Sequence, residues 1–151
     1  IGDSCSCADG KIQFEMKDKA LRMILPSGRA LHYHYPRTID VETPWGVTTL
    51  ALLHHGVNTI TRRWGEQRTY GGRLVENAVQ AIARDLLAEA MIRLELKGWK
   101  IVLSVHDELV AECEGKKADL EEFTRLMAST PKWAIGCPIA ADGWISKRYR
   151  K

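Results

Sequence analysis

His106, Asp107 and Glu108 follow one another between two aliphatic runs, Ile101 to Val105 and Leu109 to Ala111. A short polar break of this kind suits a tight turn between antiparallel strands. The spacing therefore predicts a hairpin over Trp99 to Cys113 with acid at its tip. A carboxylate fixed at the end of two packed strands has few conformations to lose, which suits a hard oxygen ligand for a divalent cation. Asp is also frequent in turns because its side chain bonds nearby backbone, so Asp107 alone decides little. A second set of polar residues stands upstream. Arg73, Asn77, Gln80 and Arg84 are spaced four, three and four apart, and at about 100° per residue they fall within an arc of about 60° on a helix. Such a stripe is commonly a solvated face. Its long and amide donors nevertheless match the minor groove, where every base pair offers acceptors at purine N3 or pyrimidine O2.

The elements that must position these residues are readable in order. Ile12, Phe14 and Met16 alternate, as an edge strand or a helix start would. Leu21 to Leu25, the turn signal Pro26-Ser27-Gly28 and the alternating Leu31 to Tyr35 predict one hairpin. Pro36 to Trp64 predicts another, with Val47 to Leu53 and Thr59 to Thr61 as strands around His54 to Asn58. Adjacent His54 and His55 point to opposite faces of a strand and so cannot easily share one ion; they read as surface residues. Tyr70-Gly71-Gly72 opens a long helix to Lys97, stopped by Gly98, with Val75, Val79, Ile82 and Leu86 as its core face. Lys116 to Ala128 predicts a second amphipathic helix, and Cys137 to Ala141 a last strand. The fold class expected is α+β, with an antiparallel sheet whose central His-Asp-Glu hairpin packs on the long helix.

With 151 residues the chain has room for one domain with a core. Its net charge of +3 does not by itself announce a nucleic-acid binder. No apolar run approaches a bilayer span, so no membrane partner is expected. Cys5, Cys7, Cys113 and Cys137 without a secretory signal favour a reducing cytoplasm. Cys5 and Cys7 lack the second close ligand pair that a zinc site needs. The first residue, Ile1, points to an excised or processed piece.

The His106-Asp107-Glu108 string, behind a helix with a polar stripe, resembles motif C of the family A DNA polymerases, the group that includes bacterial DNA polymerase I. The family carries a Gln on the helix before motif C that touches the minor groove beside the primer terminus, and Gln80 matches it, as Asp85 matches an Asp five residues on. The family's Asn falls four residues before that Gln, where this sequence has Glu76 and then Asn77; Arg73 is likewise one place out of register. The wording Thr69 to Asn77 is similar to a phage-type branch. The resemblance covers Thr69 to about Trp144.

The resemblance implies residues 1–151 as a partial palm domain. Asp107 would be a metal ligand, Glu108 an auxiliary carboxylate, and His106 a contact to the primer-terminal phosphate or sugar. Gln80, Arg73, Asn77 and Arg84 would contact DNA. It implies Mg²⁺ in a two-metal site, with primer-template DNA, deoxynucleoside triphosphates and the remainder of a polymerase chain as partners. Two-metal nucleotidyl transfer needs a second carboxylate set. The family's motif A, Asp-Tyr-Ser-x-Ile-Glu, has no counterpart here, since Thr38-Ile39-Asp40-Val41-Glu42 lacks the aromatic and the Ser. The Arg and Lys of motif B are absent too, and Tyr70-Gly71 follows no Lys at a suitable helical distance. The isolated chain is expected to be inactive. The competing reading is a catalytically silent binding or assembly module derived from a palm; a stand-alone nuclease would want a second acidic cluster.

Overall fold

The computed structural model describes residues 4–114 and 118–149. Six strands, β1 (Ser4–Cys7), β2 (Ile12–Lys17), β3 (Ala20–Ile24), β4 (Ala30–Glu42), β5 (Thr48–Val57) and β6 (Trp64–Thr69), form one antiparallel sheet in chain order. Helix α1 (Gly71–Leu96) follows, then a separate two-stranded sheet of β7 (Lys100–Val105) and β8 (Glu108–Glu112), helix α2 (Leu120–Met127) and a 3₁₀ turn, Lys132–Ala134. Antiparallel sheets with two helices make this an α+β chain. It divides into two compact units, Ile1–Gln80 and Ala81–Lys151, with the division inside α1.

In the first unit the strands follow from alternation and turn chemistry. β3 and β4 are joined where expected, with Gly28 at φ +87°, a conformation glycine adopts without penalty. β4 runs on through Pro36 to Glu42, because the register shifts between His34 and Arg37 and Tyr35 takes φ +50°. A bulge is one of the few places a strand accepts proline, which has no N–H for the ladder. Ile12 to Met16 lies in a strand, not a helix. The core holds Met23, Leu25, Tyr33, Ala51, Leu53 and Ala78.

Three expectations for this unit fail. Thr59 to Thr61 is turn, not strand, and His54 to Val57 belongs to β5. The Asn58 carboxamide oxygen accepts from the backbone N–H groups of Ile60 and Thr61, at 3.0 and 2.9 Å, and holds the turn there. His54 and His55 do lie on opposite faces, but as half-buried residues: His54 meets the buried Tyr33 ring edge-on and His55 meets Tyr35. The core face of the helix start also differs. Val75 and Val79 are 63% and 60% exposed, whereas Ala78 is buried and Asn77 donates from Nδ2 to the Tyr33 hydroxyl at 3.1 Å. The small Ala78 is the residue buried there, and the Asn77 amide turns inward to the Tyr33 hydroxyl.

In the second unit α1 ends as Gly98 predicts. Gly98 takes φ +86°, its N–H donates to the Glu95 carbonyl and that of Trp99 to the Leu94 carbonyl, the pair of bonds that closes a glycine C-terminus. Leu87, Ala90, Leu94 and Leu126 are buried. Helix α2 starts at Leu120, where the Asp119 carboxylate accepts from the Glu122 N–H at 2.9 Å; Lys116 and Lys117 lie outside the described residues. Cys137 to Ala141 is irregular chain rather than a strand. Pro138 has no N–H to give a ladder, and Gly136, at φ +91°, turns the backbone just before it.

Candidate functional site

The hairpin forms at the expected place. Val105 pairs with Glu108, leaving His106 and Asp107 as a two-residue loop, with His106 at φ +52°. Both loop residues are exposed. Glu108 is not part of the turn: it is the first residue of β8 and is half-buried. A register shift between Ile101 and Leu103 puts an extra residue in β7, which strengthens the local twist. The hairpin stands as its own two-stranded sheet rather than at the centre of a larger one. Arg84 of α1 donates from Nη1 to the Ser104 hydroxyl at 3.2 Å and so ties helix to hairpin.

A residue with no sequence signal completes the acid end. The Tyr149 hydroxyl donates to Glu108 Oε2 at 2.9 Å. Tyr149 arrives there because the C-terminal segment seats on α2: a Cβ on Gly143 would stand 3.1 Å from Leu120 Cδ1 and 3.5 Å from Thr124 Cγ2. Asp107, Glu108, Arg148 and Tyr149 line a cavity of about 420 Å³ whose apolar walls include Trp99 and Trp144. The hydrogen bond to Glu108 raises the Tyr149 phenol above its ordinary value, with burial and the carboxylate charge adding to it. The bond is therefore kept below the ordinary phenol range and lost as pH climbs through the raised value. We expect Glu108→Ala, which removes the acceptor, to bring the Tyr149 titration down towards the ordinary range, as ¹³C NMR of labelled tyrosine rings would show. An unchanged titration would mean that the contact does not form in solution.

The polar stripe is divided among different tasks. Arg73 and Gln80 are exposed, and Gln80 Nε2 donates to Glu76 Oε1 at 3.2 Å on the same helix face. Asn77 is turned to Tyr33 and Arg84 to Ser104. Among the described residues no three His, Cys, Asp or Glu side chains stand together as a metal ion would require. The carboxylates of Asp107 and Glu108 are hard oxygens of the kind magnesium takes, but with one of them bonded to Tyr149 they form only a partial donor set. Cys5, Cys7, Cys113 and Cys137 are all exposed free thiols. Among the described residues no helix is long and apolar enough to cross a membrane.

The chain is 41% identical over 127 residues to a DNA polymerase of Bacillus phage SP02, an alignment covering 84% of this chain and 19% of that protein. The chain thus spans 19% of the length of the curated relative it matches. No family model matches it, and no solved structure matches it.

Proposed function

We propose that this chain is the C-terminal palm portion of a family A, phage-type DNA polymerase, and that in the whole enzyme it takes part in template-directed nucleotidyl transfer. The observation that carries the reading is the two-residue turn that presents His106 and Asp107 at the end of a hairpin, in a chain 41% identical to part of a phage DNA polymerase. Asp107 supplies one carboxylate to a magnesium site that another part of the polymerase completes, and Glu108 is the auxiliary carboxylate. Magnesium, when bound, neutralises charge on the phosphoryl group being transferred. His106 contacts the primer end, and Gln80, with Arg73, Asn77 and Arg84, lies along the DNA. Primer-template DNA, deoxynucleoside triphosphates and the rest of the polymerase are the partners.

Gln80 offers a test in the polymerase that carries this chain. Its amide is exposed and bonded to Glu76 on the same helix, so it can turn to a groove acceptor without disturbing the core. Gln80→Ala is expected to slow extension and to narrow the gap between matched and mismatched primer ends by about tenfold, the order of one lost directional contact to a base edge. Equal discrimination by the parent and the variant would remove Gln80 from the primer end.

A further inference from the structure

The six-stranded sheet carries a set of rings that the hairpin chemistry does not use. His32 and His34 are two residues apart in β4 and project from one face; their rings stack with centroids 6.1 Å apart and 16° between planes. His55 of β5 lies directly opposite His34 and shares that face. Trp64, at the start of β6, brings its ring to 5.6 Å from that of His34, and Tyr35, at the bulge of β4, packs on His55 at 5.5 Å. The five rings make one patch. Trp64 is 58% and Tyr35 57% exposed, and His32 is exposed as well.

Strand register places charge on the same face. Arg37 and Arg68 both pair with Leu53, two residues from His55. Arg22 pairs with His32, and Lys17 pairs with Ala20, which in turn pairs with His34. Against these four cations stand Glu15, bonded to Arg22, and Glu66, bonded to Arg37. Arg62 and Arg63 add positive charge in the turn immediately before Trp64, while Asp40 and Glu42 alternate onto the opposite face from Arg37. Flat rings among excess guanidinium groups suit a ligand that has exposed π-faces and a phosphate backbone. Bases in a duplex hide their faces in the stack, whereas an unpaired strand presents them, and each stacked base gains regardless of its identity.

We propose that this sheet face binds an unpaired nucleic-acid strand, with bases stacked on Trp64, His34, His32 and Tyr35 and phosphates held by Arg37, Arg68 and Lys17. The site lies wholly in the first compact unit and uses neither Asp107 nor a metal, so it stands or falls apart from the polymerase reading.

The test is fluorescence anisotropy of a labelled oligo-dT of about twelve nucleotides with the 151-residue chain, in a chelating buffer so that no metal contributes. Binding is expected to weaken as salt rises. Trp64→Ala should weaken it about tenfold, and Arg68→Ala should lower the dependence on log salt by about one. Trp45→Ala, which removes a tryptophan 81% exposed in the β4–β5 turn, should leave it unchanged and so controls for adhesion to any exposed ring. Should circular dichroism show Trp64→Ala unfolded, His32→Ala carries the same expectation of a several-fold loss. No binding at low salt would overturn the proposal and leave the face to a protein partner. Equal binding by the parent and both ring variants would also overturn it.

Discussion

On the proposed function, Asp107→Ala in the whole protein is expected to lower primer extension on the order of 10³-fold or more, while the affinity for primer-template DNA stays within a few-fold of the parent. The size follows from where the charge acts. A carboxylate that helps hold metal at the transferring phosphate works on the transition state, and loss of one such preorganised group costs roughly 10² to 10³ or more in rate. DNA affinity rests chiefly on phosphate contacts elsewhere, which an alanine at the turn leaves alone. Stability should hardly move, since Asp107 is exposed in a two-residue loop and a surface change of that kind stays within about 0.5 kcal/mol. Glu108→Gln should fall between the variant and the parent. Gln keeps an acceptor for the Tyr149 hydroxyl, now bonded at 2.9 Å, but gives up the charge. Single-turnover extension on a matched primer, beside a DNA titration, measures both quantities. Near-parental extension by Asp107→Ala would remove the motif C assignment and with it the proposed function.

What the sequence showed of this arrangement depended on the range of the interactions involved. The β7–β8 hairpin and the end of α1 are local. A polar pair between aliphatic runs makes a turn, and Gly98 makes a left-handed helix end, whatever surrounds them. The face that α1 turns inward is not local. Val75 and Val79 mark an apolar stripe by type, yet the sheet of the first unit takes Ala78 and Asn77 instead, because the Tyr33 hydroxyl, 44 residues away, meets the Asn77 amide. The same limit hid Tyr149. In Lys147-Arg148-Tyr149 it looks like part of a basic tail, and only the seating of Gly143 on α2 returns it to Glu108. The ring patch on the sheet was hidden by strand boundaries: with His54 and His55 placed in a turn, no register sets His55 opposite His34. Residue types suggested the chemistry, and contacts across tens of residues decided which side chains could share it.

Leu94→Ala is expected to cost about 3 kcal/mol of stability, within the range of about 2 to 5 for removing a fully buried leucine side chain where the surroundings collapse only in part. Leu94 has no exposed surface, and Leu87, Ala90 and Leu126 of the second unit are buried as well. Its carbonyl also accepts the N–H groups of Lys97 and Trp99 that close the helix before β7 begins at Lys100. A cavity at Leu94 therefore opens beside the segment that launches the hairpin. Arg93 donates to the Leu126 carbonyl and Trp133 Nε1 to Glu89 Oε1 at 3.2 Å, so α2 and the turn after it are pinned to the same stretch of helix. Those polar ties survive the substitution but do not refill the space. Ile92→Ala makes the comparison, because Ile92 is 58% exposed and its loss should cost well under 1 kcal/mol. Urea unfolding followed by circular dichroism at 222 nm would separate the two variants. If Leu94→Ala unfolded at the same denaturant concentration as Ile92→Ala, the packing around the end of α1 would have to be redrawn.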